Sequence, residues 1–166
     1  MSTIESVVGH AEAWVQEELG SQKRLLALLA EQERAVTGND TAALLETTAG
    51  IEREIDGRAH RNRRLAKLID AFGAHWGIAP AALTLGSICE RLGERGARLA
   101  RLRAQLVDAM RTVSETGRRM VALARLHQGV LADLVRTLAG APVDALRGAE
   151  TDADDDTGGR LLLMEA

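Results

Sequence analysis

This chain of 166 residues has few aromatic side chains. Aromatics make up 2% of it: Trp14, Phe72 and Trp76, with no tyrosine. Sandwiches, barrels and mixed sheets lean on aromatic and β-branched side chains, so this scarcity argues against them. There are two prolines, Pro80 and Pro142, and none between them. The single cysteine, Cys89, has no partner for an intrachain disulfide and no CxxC neighbour for a metal, which predicts a reducing compartment. The opening Met1-Ser2-Thr3-Ile4-Glu5 lacks the basic and apolar regions of a signal peptide. No apolar run approaches the ~20 residues of a membrane span. The expectation is a cytoplasmic protein without membrane insertion.

What the chain has instead is Leu, Ala, Arg and Glu, all good helix formers, within a 46% hydrophobic composition. Ile4, Val8, Ala11, Val15, Leu25, Leu29 and Val36 recur at helical spacing, with a polar gap at Glu18 and Gln22. Ser2-x-x-Glu5 fits a capping box at the start. Gly38-Asn39 supplies a stop, where a left-handed backbone is cheap, and Asp40 can cap the next helix. That second helix, residues 41–72, carries the seam Leu44, Thr48, Ile51, Ile55, Arg58, Asn62, Leu65, Ile69 and Phe72. Spacings of four and three give a 3.5-residue period, that of helices winding around each other. Arg58 and Asn62 interrupt this seam and are expected to set its register.

Gly73, Gly77 and Pro80 then oppose a continuous helix, and Trp76 and Ile78 are expected to fold back over the end of the hairpin. Ser87-x-x-Glu90 is a second capping-box candidate, opening a helix over residues 87–138. Its seam is Leu99, Leu102, Leu106, Ala109, Val113, Gly117, Met120, Ala124, His127, Leu131, Leu134 and Leu138. Gly93, Gly96, Gly117 and Gly129 weaken this helix; the sequence leaves open whether they admit a close neighbour or a bend. The fold expected is all-α: an antiparallel long-helix hairpin plus a longer third helix, a coiled-coil-like bundle over residues 1–140. Residues 141–166 read as a flexible tail, with acidic residues over 150–156 and then Arg160-Leu161-Leu162-Leu163-Met164. Those leucines fit either an inert or self-packing end or a recognition segment.

Charge is uneven. Residues 1–57 hold 4 basic and 11 acidic groups, residues 58–147 hold 16 and 7, and residues 148–166 hold 1 and 6. Complementary flanks of packed helices account for this more simply than a nucleic-acid surface, because no aromatic platform accompanies the arginines. Nucleic acid is therefore not an expected partner.

Chemistry is sparse. His10, His60, His75 and His127 stand at no metal-ligand spacing, and no phosphate loop, dinucleotide glycine pattern or nucleophile elbow is present. His60, within Arg58-Ala59-His60-Arg61-Asn62-Arg63-Arg64, loosely resembles the acceptor of a histidine phosphotransfer domain. The Lys-Gly pair usual there is replaced by Arg63-Arg64, so a solvated basic face is the better reading. No catalytic residue, cofactor or metal is expected, and the chain reads as a non-enzyme.

The order of elements resembles a family. Glu33-Arg34-Ala35-Val36-Thr37-Gly38-Asn39-Asp40, then Leu44-Leu45 and a second long helix, look like the opening hairpin of FlgN-like flagellar export chaperones. Leu83-Thr84-Leu85 leading into a long third helix is similar too. His127 and Gln128 stand where that family often has asparagine, and the closing Gly159-Arg160-Leu161-Leu162-Leu163 lacks its tyrosine. The resemblance implies a cytoplasmic chaperone that binds hook–filament junction proteins, shields their assembly-prone helices and delivers them to the type III export apparatus. The third helix outruns the other two, so part of its seam should lack an internal partner. Leu123, Val130, Leu131, Leu134 and Leu138, with Leu161, Leu162 and Leu163, are the expected partner-binding residues. A homodimer burying the same seam, in a structural or adaptor coiled coil without a secretion role, is the alternative.

Overall fold

The structure, a computed structural model, describes residues 3–138. Among the described residues the secondary structure is helical, and the all-α long-helix expectation holds. The helices are α1 (Thr3–Thr37), α2 (Thr41–Trp76), α3 (Leu85–Leu92) and α4 (Ala97–Leu138), with 3-10 turns at Pro80–Ala82 and Gly93–Gly96. The proposed Ser2 cap lies outside the described residues. By its contacts the chain divides into two compact units, one ending at Arg118 and one beginning at Arg119.

In the first unit α1 and α2 form the hairpin. Its turn satisfies its own backbone. Asn39 takes the left-handed conformation (φ 54°), the Asp40 N–H reaches the Ala35 carbonyl at 2.9 Å, and the Asn39 N–H reaches that of Val36 at 3.3 Å. This is the Schellman arrangement, with Asn39 rather than Gly38 in the left-handed position. Asp40 then caps α2 by accepting from the Ala43 N–H at 3.0 Å.

α2 runs four residues past the expected end, to Trp76, because Gly73 does not break it. The stop is Gly77 (φ 66°), whose N–H returns to the Gly73 carbonyl. The chain then reverses across Gly73 itself. A Cβ there would sit 2.7 Å from the Ile78 carbonyl oxygen, which is backbone and cannot swing aside. Gly73→Ala should therefore lose about 1–3 kcal/mol by overpacking, despite the ~1 kcal/mol that alanine gains in a helix interior. Urea unfolding followed by circular dichroism measures the difference.

The core of this unit sits at the open end of the hairpin. Val15, Phe72, Ile88 and Leu99 are fully enclosed, joined by Ile4, Ala11, Trp14, Leu19, Leu83 and Leu106. Trp76 and Ile78 fold onto it as expected, and Trp76 stacks on Phe72 with ring centroids 5.2 Å apart. Each large aliphatic or aromatic side chain enclosed here contributes about 1.5–3 kcal/mol.

The third helical segment is not continuous. Thr84, not Ser87, is the N-cap: its side chain accepts from the Ser87 N–H at 3.1 Å while Ser87 Oγ accepts from the Thr84 N–H at 2.9 Å. Ser87 thus fills the far corner of the capping box one turn downstream. The helix so started ends at Gly93 (φ 56°), which settles the glycine question in favour of a break there. α4 restarts at Ala97, lays Leu99, Leu102 and Leu106 on the core, and pairs Arg98 with Glu12 of α1 at 3.3 Å.

The middle of the hairpin departs most from the sequence reading. Arg58 and Asn62 are exposed, Ile55 is 57% exposed, and the residue turned inward is Arg61. Its Nε donates to Glu18 Oε2 at 2.5 Å, and its Nη2 donates to Ser21 Oγ at 2.8 Å and to the Glu54 carbonyl at 3.1 Å. Gln22 donates to the other Glu18 oxygen at 2.8 Å, and the Trp14 indole donates to the Arg61 carbonyl at 2.8 Å. The polar gap in the α1 seam is therefore the matching half of a buried polar layer. Glu54 extends it, accepting from Ser21 at 2.7 Å and from Arg24 at 2.5 Å. The Arg24 guanidinium, more than any other group, holds the Glu54 carboxyl below the ordinary carboxylate range. A lowered carboxyl contributes stability that is present above its unfolded value and lost as pH falls through the folded one. Arg64 also pairs with Glu17, so the acidic first helix meets basic partners, as the charge split predicts.

Candidate protein-binding surface

The second unit, as described, is the α4 segment 119–138, about 30 Å of helix at 1.5 Å per residue. Leucine, alanine and arginine favour the helix here, and Gly129 is tolerated within it. Met120 is buried, and Leu123 and His127 are half-buried. From there the apolar side chains face solvent. Val121, Leu126, Val130, Leu131, Leu134 and Val135 are each between 53% and 63% exposed. At 3.6 residues per turn, Leu123, Leu126, His127, Val130, Leu131, Leu134 and Val135 cover about half of the circumference. Arg125 and Arg136 lie on the other side, with Arg136 held by Asp133 at 3.1 Å. Scattered exposed apolar residues are ordinary, but a contiguous stripe of this length on a helix is the mark of an interaction site.

The stripe contains the expected Leu123, Val130, Leu131 and Leu134, brought onto one face. Of Leu138 the structure places the backbone in α4, and Leu161, Leu162 and Leu163 lie outside the described residues. Leu126, Val135 and Val121 were not anticipated. A strict 3.5-residue seam passes over them, whereas the wider apolar face of an ordinary amphipathic helix takes in Leu126 and Val135.

Other features offer less. His60 is exposed on α2, and His75 stands edge-on to Trp76 at 6.3 Å. A cavity of about 540 Å³ opens at the end of the bundle, floored by Ile4, Val8, Trp76 and Leu92 and rimmed by Arg91, Arg95 and His75. Desolvation pushes the Cys89 thiol up, which leaves it protonated at neutral pH and a poor nucleophile. Among the described residues no three His, Cys, Asp or Glu side chains gather as a metal site, and no helix is long and apolar enough to cross a membrane.

Comparisons with protein-family models, with curated proteins and with solved structures return no match.

Proposed function

We propose that this chain is a holding protein of the flagellar export class, whose α4 stripe receives the assembly-prone terminal helix of a hook–filament junction protein in the cytoplasm and keeps it from self-associating before delivery to the export apparatus. The observation that carries this reading is the exposed row Leu126, Val130, Leu131, Leu134 and Val135. The physics is that of helix-in-groove recognition: a client helix exposes an apolar face in water, and a second apolar face covers it. The resemblance of the opening hairpin, and of the helical stretch that follows Leu83-Thr84-Leu85, to FlgN-like chaperones supplies the client class.

The test mixes the purified chain with a purified hook–filament junction protein and follows size-exclusion chromatography with light scattering. The expected result is a defined complex and suppressed self-assembly of the client. No complex, or a stable homodimer whose stripe is already covered, would replace this reading with the structural coiled coil.

A further inference from the structure

The cavity at the end of the bundle shares no residue with the α4 stripe. It lies within the first unit and measures about 540 Å³, inside the ~300–1,000 Å³ range of small-molecule sites. Its floor is hydrocarbon and indole: Ile4, Val8, Trp76 and Leu92. The stack of Trp76 on Phe72, with ring centroids 5.2 Å apart, fixes one wall in advance of any ligand. Val8, Trp76 and Leu92 are only half-buried, so the floor still presents apolar surface whose removal from water favours binding.

The mouth has the opposite character. Arg91, in the last turn of α3, and Arg95, in the 3-10 turn Gly93–Gly96, both line it, as does His75. Glu5 is the acidic member of the lining, so the two arginines leave the mouth positive. Among the described residues no carboxylate forms an ion pair with Arg91 or Arg95. Like charges at one mouth repel each other, and an anion between them is attracted by both. A guanidinium presents a planar fork of N–H donors that matches a carboxylate.

We propose that this cavity binds a single-chain fatty-acid carboxylate, with the alkyl chain on the floor and the head at Arg91 and Arg95. A peptide end of the same polarity fits less well. Its amide groups would enter a floor whose one side-chain hydrogen-bonding group is the Trp76 indole N–H, and an unsatisfied amide is costly to bury. An alkyl chain carries no such group. The site is independent of the α4 stripe and of any client.

The test titrates octanoate, decanoate and dodecanoate, each below its micelle-forming concentration, into the full chain by isothermal calorimetry. Heteronuclear NMR follows the indole N–H signals of Trp14 and Trp76. Affinity should rise by up to about fourfold for each CH₂ added, the value for hydrocarbon leaving water. The Trp76 signal should move, while that of Trp14, buried and bonded to the Arg61 carbonyl, should stay. Arg91→Gln combined with Arg95→Gln should weaken dodecanoate binding by about tenfold and leave the circular dichroism unchanged, since both side chains are exposed. No saturable binding, or an affinity indifferent to chain length and to both arginines, would overturn the site. Amide shifts over residues 121–135 with Trp76 unmoved would also overturn it, by placing the alkyl chain on the α4 stripe. An apolar tripeptide that bound tighter than dodecanoate, and lost that advantage when amidated at its C-terminus, would replace the fatty acid with a peptide end.

Discussion

Arg61→Met should lower the stability of the protein by about 3–5 kcal/mol, the largest single effect expected anywhere in the hairpin. Arg61 and Glu18 are both almost fully enclosed, with side chains 9% and 6% exposed. Removing the guanidinium strands the Glu18 carboxylate away from water with only the Gln22 amide beside it. Ser21 and the Glu54 carbonyl lose a donor at the same stroke. The penalty comes from an uncompensated buried charge, so removing both charges should hurt far less. Glu18→Leu combined with Arg61→Met is expected to recover most of the loss, because a well-packed apolar pair often matches a buried ion pair. Urea unfolding of the two single variants and the double one forms a cycle that isolates the pairing. A cost below about 1 kcal/mol for Arg61→Met would mean that water reaches the layer and that the pair behaves as a surface salt bridge.

The second large effect concerns function. Leu131→Asp together with Leu134→Asp should weaken client binding by 100-fold or more, since central apolar anchors are each worth about 2 kcal/mol or more at an interface. The fold should hardly notice. Both side chains are more than half exposed, and substitutions at such positions usually stay within about 0.5 kcal/mol. Leu45→Asp and Ile55→Asp provide the control: these α2 residues are as exposed as the stripe but stand outside it. Titration of labelled client, with thermal melts of each variant, separates lost contact from lost fold. Equal losses from both pairs of variants would show that exposed leucine in general, rather than the α4 stripe, drives association.

The helices and their faces were legible where apolar residues mark them. The α1 positions Ile4, Ala11, Val15 and Leu29 are buried as their spacing predicts. Legibility failed in the middle of α2, for a physical reason. Hydrophobic periodicity selects Ile55 over Glu54 and passes over Arg61, yet the inward line there is Thr47, Gly50, Glu54 and Arg61. Gly50 lies on it because α1 comes close: a Cβ there would meet Leu28 at 2.7 Å. A seam built of small and charged residues leaves no apolar trace, and only the polar gap at Glu18 and Gln22 on the opposite helix hinted at it. Ser87 misled because two hydroxyl residues three apart can each be read as a cap, and the backbone of the preceding loop decides between them. The stripe was half legible. Leucine spacing gave its axis, but a 3.5-residue seam is narrower than the apolar face of an ordinary amphipathic helix and so passed over Leu126 and Val135.

The central claim is that the client helix sits on α4 between Val121 and Val135. Amide hydrogen exchange of the complex, read by mass spectrometry on peptides from α1, α2 and α4, tests it most directly. Exchange reports local opening, so a docked helix slows it where it packs. Client binding should slow exchange over residues 121–135, with little change over residues 15–30 and 44–60. Slowing in the hairpin with residues 121–135 unchanged would contradict the claim.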